Sequence, residues 1–377
     1  MKQTVAILTI LVALTPLQGL AQSLTDAKSS ASVHFDNSSF TSTPVEMSEK
    51  LIPSEVHAEF GSVLIVDSTR LRPSQELSSP SAIASRKLQG TDYTFRHGMT
   101  VEDPLTSYFT EILQLALDHT YEEYGSYRLY SMPFISNPRL LLTMHNPTPL
   151  NLITALSYDP RHTQNGLVKP IYIPYNYGIS GYRVCFVNPK IKNELAKVKN
   201  LADLRKFTFA QGIGWTDTLI LRNAGLKVIE SSNYRGLFQM VASGRIDLFC
   251  RSIHEWSEEL IKFGQNIPLV LDEHLLISYD MPKLFYMRTA EQEAHERIEL
   301  GLKRAFEDGS LTLLWDKHYR QKIEASNLHK RTRIHLENPL NQGIDLRYRN
   351  YNIDIYNRML QLHTESTKNN SPQSRER

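Results

Sequence analysis

The sequence predicts an α/β protein of two domains built on mostly parallel sheet, and three observations predict it. Between Leu201 and Cys250, short apolar runs of strand length alternate with segments whose apolar residues recur every three or four positions. That β-α-β-α-β order places helices on the faces of a parallel sheet. Glycines stand where helical segments should stop, at Gly225, Gly244 and Gly309. The chain has 377 residues, which beyond its first stretch is length for roughly two domains.

Taken in order, residues 1–21 read as an export signal. Lys2 gives a positive start, Val5 to Leu14 is apolar apart from Thr9, and Pro16 breaks the run. Gly19, Leu20 and Ala21 then supply a cleavage site after Ala21. The apolar run is far short of the roughly 20 residues that span a bilayer, so a soluble protein in an exported compartment is expected. Residues 22–90 form a Ser- and Pro-rich leader, with Phe60 to Val66 its strand-like run. Tyr93 to Arg96 reads as a strand, and Leu105, Phe109, Ile112, Leu113 and Ala116 give one apolar helix face. Tyr127 to Tyr130 and Leu152 to Leu156 are strands, the second followed by the polar turn Ser157 to Arg161. Ile171 to Pro174 leads into the apolar strand Tyr182 to Val187.

The second unit opens with a short helix, Leu201 to Leu204, then the strand Phe207 to Ala210 and the glycine-containing loop Gln211 to Asp217. A helix over Thr218 to Ala224, a strand at Lys227 to Ile229, a helical stripe of Tyr234, Leu237, Phe238 and Val241, and a strand at Ile246 to Cys250 follow. Leu284 to Met287 is a returning strand. Ala294, Ile298, Leu302, Ala305 and Phe306 mark a long helix, and Ser310 caps another that carries Leu311, Leu314, Trp315 and Tyr319. Residues 342–377 read as a polar tail.

Composition excludes several functions. The chain has 42 basic and 40 acidic residues, against the basic excess of a nucleic-acid binder. Its 13 histidines are scattered, so neither a metal site nor a cofactor is expected. No Gly-x-Ser-x-Gly elbow, phosphate loop or His-Glu-x-x-His appears, and no enzymatic activity is expected. Cys185 and Cys250 both fall inside strand-like runs. Bridging needs close, correctly aimed Cβ atoms, so two buried free thiols are expected.

The run from Leu201 to Glu259 carries a family resemblance. Leu201-Ala202-Asp203-Leu204, Gln211 to Asp217, Gly225 to Val228, Tyr234 to Phe238 and Gly244-Arg245-Ile246-Asp247 resemble, in order, the type 2 periplasmic solute-binding proteins, the amino-acid-binding-like solute-binding family 3. Gly181 to Val184 and Glu307 to Ser310 extend the likeness, which covers residues 91 to 340. The resemblance implies two α/β lobes joined by two crossing hinge strands, with a small-molecule ligand in the cleft and closure by hinge motion. Lobe 1 would comprise residues 91–180 and 277–341, and lobe 2 residues 181–276. The partner would be a membrane transporter or, if the protein senses rather than carries, a membrane receptor. A monomer is expected.

Binding candidates follow from position. Backbone N–H groups of Gly212, Gly214, Thr216 and Asp217 stand at a helix N-terminus, which favours an anionic group; Thr216 and Asp217 equally suit helix capping. Trp215 is a ligand wall or core. Arg251 follows a strand at its C-terminal end, where ligands of α/β sheets sit, and offers a fork for a carboxylate. Its bland role is an ion pair with Glu255 or Glu258. Amino-acid-binding members place a carboxylate near this position, so the expected ligand is anionic. Tyr158 and Arg161 on the lobe 1 turn, Tyr175 near the first crossing, and Arg96 at a strand end complete the set.

Overall fold

Strands covered on both faces must be apolar on both sides, and the runs Val184 to Val187 and Leu248 to Cys250 are almost wholly buried. They lie in one of two sheets. The computed structural model describes residues 62–69, 90–96, 107–133 and 135–358, all within one unit, Leu51–Arg377. The signal, nearly all of the leader and residues 359–377 lie outside the described residues.

The strands are β1 (Val63–Asp67), β2 (Thr91–Arg96), β3 (Tyr127–Met132), β4 (Leu152–Ser157), β5 (Val168–Ile171), β6 (Tyr182–Val187), β7 (Thr208–Gly212), β8 (Lys227–Ser231), β9 (Leu248–Ser252), β10 (Val270–Leu271), β11 (Leu275–Ser278), β12 (Lys283–Arg288) and β13 (Thr332–His335). Lobe 1 holds the order β1-β3-β2-β4-β12-β5, and lobe 2 the order β13-β11-β6-β9-β7-β8, with β10 on β6. The two sheets share a plan. In each, the first strand of a parallel trio is central: β2 between β3 and β4, β7 between β8 and β9. Each trio is then completed by an antiparallel strand delivered from the other lobe, β12 on β4 and β6 on β9.

The chain first crosses between the lobes after β5 and after β11, and these two crossings touch; it passes to lobe 2 once more for β13 and back to lobe 1 by Ile344. Tyr279 N–H donates to Gly181 O at 3.0 Å. A Cβ on Gly181 would lie 2.0 Å from Tyr279 O, so only glycine permits this approach. Gly181→Ala should therefore push the crossings apart and cost about 1–3 kcal/mol by overpacking, read from urea denaturation.

The helix at Tyr108–Asp118 buries Ile112, Leu113, Ala116 and Leu117, and the one at Gln292–Glu307 buries Ala294, Ile298, Leu302 and Ala305. They pack together, with Gly301 so close to Ala116 O that a Cβ would lie 1.9 Å away.

Three expectations are corrected. Cys185 and Cys250 are not free thiols: they face each other across β6 and β9 and form a disulfide. The antiparallel register brings their Cα atoms to 3.8 Å. The strand-like run expected in the leader is present as β1, which pairs with β3 from Val63 to Asp67. The return segment does not lie wholly in lobe 1, since β13 joins lobe 2 by pairing with β11. The tail from 342 onward is not free as far as residue 358. Ile344 and Tyr348 are buried in a lobe 1 cluster with Met132, Leu140 and Tyr286, and Ile355 is fully buried. The stretch 338–348 also grips the second crossing: Asn338 and Asn341 donate to Asp280 O at 2.9 Å each, and the Tyr348 hydroxyl donates to the Asp280 carboxylate.

Candidate functional site

The C-terminal ends of the two parallel trios face each other, the position where ligands of α/β sheets collect. From lobe 1, β2 ends in Arg96 and β4 in Ser157; from lobe 2, β9 carries Arg251 near its end, and the loop after β7 runs into the helix Thr216–Asn223. Between them lies a cavity of about 210 Å³. Its lobe 1 wall includes Arg96, Pro138, Leu141, Ala155, Ser157 and His162; its lobe 2 wall includes Gly214, Trp215, Thr216, Asp217, Arg251 and Glu255. Ser180, Arg183 and Lys283, on or beside the crossings, line its floor.

Two buried ion-pair groups organise the lobe 2 side. Arg251 is paired on both edges: its Nη2 lies 2.9 Å from Glu259 and 3.1 Å from Glu255, and its Nε donates to Glu259 at 2.9 Å. The guanidinium stacks 4.7 Å from the Trp215 ring centroid. Burial disfavours its charge, yet Glu255 and Glu259 hold its pKa well above the ordinary value. Arg183 pairs with Asp217 at 2.7 Å and lies 3.8 Å from Glu255. Asp217 also accepts from the Tyr279 hydroxyl. Against the desolvation that would raise it, Arg251, His254 and Arg183 hold the Glu255 carboxyl well below its usual range.

Lys283 differs from both arginines. It opens β12, lines the cavity, and its ammonium makes no hydrogen bond or ion pair among the described residues. Burial lowers its pKa, partly countered by Glu255. Across the cavity Arg96 donates through Nη1 to Ile135 O at 2.7 Å and Asn137 Oδ1 at 2.8 Å, and burial pushes it down to about 10.

The sequence-derived residues divide. Gly214, Trp215, Thr216, Asp217 and Arg251 line the cavity with Arg96. Arg251 is not an open fork, however, because the ion pair has taken it, through Glu255 and Glu259 rather than Glu258. Tyr158, Arg161, Tyr175 and Gly212 are not among the lining residues. Tyr158 is buried in the lobe 1 cluster; Arg161 is turned onto Asp159, with Nε 2.9 Å from Oδ1. Tyr175 is core, stacked on Phe285 at 4.8 Å. Gly212 makes room for the Trp215 indole, which a Cβ would meet at 2.3 Å. Lys283, Arg183 and His162 were missed. Their placement depends on where the crossings run, and the one available signal was a basic residue at each strand start beside a crossing, Arg183 and Lys283.

Beside the ion pairs, His254 accepts or donates at Nδ1 to Ser252 Oγ at 2.6 Å. Burial, with Lys283, Lys322 and Arg183, pushes it down to about 3 against the pull of Glu255. Its folded pKa thus lies below the unfolded value of about 6.5. The unfolded chain takes up the proton first, so stability present above about pH 6.5 is lost as pH falls toward the folded value. Denaturation midpoints should decline from about pH 6.5 to 4.5, above the range of most carboxylates, and His254→Gln should flatten that decline.

No family profile matches the sequence, and no curated protein matches it. Solved structures resemble it. The BvgS VFT2 domain of Bordetella pertussis, as a double mutant, is 13% identical, with 64% of this chain and 99% of that chain covered and a TM-score of 0.48. A Bacillus subtilis protein is 18% identical over 63% of this chain and 93% of that one, with a TM-score of 0.43. A Streptococcus pneumoniae amino acid ABC transporter substrate-binding protein bound to L-arginine is 14% identical over 63% and 98%, with a TM-score of 0.45. Two sheets of one plan, each completed by a strand from the other lobe and joined by two touching crossings around a polar cavity, give this chain a two-lobed α/β fold.

Proposed function

We propose that this protein captures a small polar solute with an anionic group in its interlobe cavity, for handover to a membrane transporter. The observation that carries the reading is the cavity's charge. Arg96, Arg183, Arg251 and Lys283 line it, against Asp217 and Glu255. Both carboxylates already face guanidinium groups, and they act on the Lys283 ammonium only through space, so its direct ion-pair position is open to an entering anion. A cation left unpaired in a partly desolvated cleft is costly, and an anion entering there gains a charge-assisted contact that water alone does not give.

A thermal-shift screen of small metabolites tests this. A ligand at about 100 times its Kd stabilises by about 2.7 kcal/mol, which for a chain of this size raises the Tm by roughly 3–5 °C. The compounds that do so should be anions. A cationic amino acid as the strongest stabiliser would refute the reading.

A further inference from the structure

The cavity's charges also decide what the solute's second polar group can be. A free α-amino acid brings one carboxylate and one ammonium. The carboxylate has a place, because Lys283 lines the cavity with no ion-pair partner among the described residues. The ammonium does not. It needs a carboxylate, and the two that line the cavity are engaged: Asp217 lies 2.7 Å from Arg183 and accepts from the Tyr279 hydroxyl, and Glu255 lies 3.1 Å from Arg251 and accepts from Ser252 N–H at 3.1 Å. Glu259, behind Glu255, is taken by Arg251 at 2.9 Å. An ammonium would enter as a fifth cation beside four. Recruiting Asp217 to it would strip the buried Arg183 of its nearest partner, and Arg183 already has an Nε that is buried without one; recruiting Glu255 would leave Arg251 on Glu259 alone. Uncompensated buried charge of that kind is strongly unfavourable. The same surroundings suit neutral acceptors. A hydroxyl or carbonyl oxygen can take hydrogen bonds from guanidinium N–H groups and from the exposed N–H groups of the helix that starts at Thr216.

We infer that the ligand is a small carboxylic acid that lacks an α-ammonium and carries a neutral oxygen there instead, a 2-oxo or 2-hydroxy acid, with Lys283 as the residue that takes its carboxylate. This rests on the proposed solute-binding role and narrows it to a substrate class.

Calorimetry on the full mature chain with matched triplets tests it: L-alanine, pyruvate and L-lactate; L-glutamate, 2-oxoglutarate and 2-hydroxyglutarate; L-phenylalanine, phenylpyruvate and phenyllactate; and L-arginine. In the triplet that binds, the oxo or hydroxy acid should bind at least tenfold tighter than its amino acid. An amino acid equal to or tighter than its oxo and hydroxy counterparts overturns the substrate class and leaves solute binding standing. No heat with any of these compounds overturns both.

Discussion

Alkylation of the unfolded, unreduced protein should modify neither Cys185 nor Cys250, and both should be modified after reduction. Replacing the pair by alanine should lower stability by about 4 kcal/mol. The bridge closes a loop across a sequence separation of 65, and the chain-entropy estimate for a loop of that length is about 4 kcal/mol. The loop contains β7, β8 and the first half of β9, so its loss loosens the sheet that positions both Arg183 and Arg251. Urea denaturation of wild type with and without reductant reads the effect. Two cysteines alkylated without reduction would remove the bridge from the picture.

Arg251→Ala should unfold lobe 2 rather than merely weaken binding. Arg251 is 4% exposed and is held by Glu255 and Glu259. Removing it leaves two carboxylates beside each other, and breaking a buried pair from one side costs about 3–5 kcal/mol. Neutralising the partner as well should recover much of this, because well-packed apolar or neutral groups often replace such a pair at little cost. Arg251→Met combined with Glu259→Gln should therefore be more stable than Arg251→Ala, by urea midpoint. A stable Arg251→Ala chain would mean that the guanidinium is a cavity group first and a structural one second.

Most of the fold was legible because its strands are buried on both faces. Val184 to Val187 and Leu248 to Cys250 are continuous apolar runs, and the helices Tyr108–Asp118 and Gln292–Glu307 show clean three- and four-residue spacing. What escaped depends on register and crossing. The disulfide exists because residue 185 of β6 stands opposite residue 250 of β9, and sequence order does not contain that alignment. Glu255 was foreseeable as a partner for Arg251 at helical distance. Glu259 was not, because a turn separates β9 from the helix Trp256–Phe263 and brings Glu259 round to the guanidinium. The segment after 342 looked polar because its anchors, Ile344, Tyr348 and Ile355, are few and widely spaced.

At the site, the glycine-containing loop was readable as a strand-to-helix turn, and its residues Gly214 to Asp217 line the cavity, as do Arg251 and Arg96. Tyr175 and Tyr158 look the same in sequence whether they face a cleft or a core. Lys283 was invisible for the opposite reason: as the first residue of an apolar strand it looked like a boundary marker, and only the second crossing delivers it to the cavity floor.

The most direct measurement is calorimetry of wild type and Lys283→Met with the most stabilising acid from the screen. Methionine keeps most of the apolar stem and removes the charge. Wild type should bind one equivalent, and the variant should bind roughly 10- to 150-fold more weakly, the worth of a charge-assisted hydrogen bond of about 1.5–3 kcal/mol. Its urea midpoint without ligand should equal or exceed that of wild type, because the ammonium has no ion-pair partner to abandon among the described residues and its burial is costly. Equal affinity in the two proteins would contradict an anion held in the interlobe cavity.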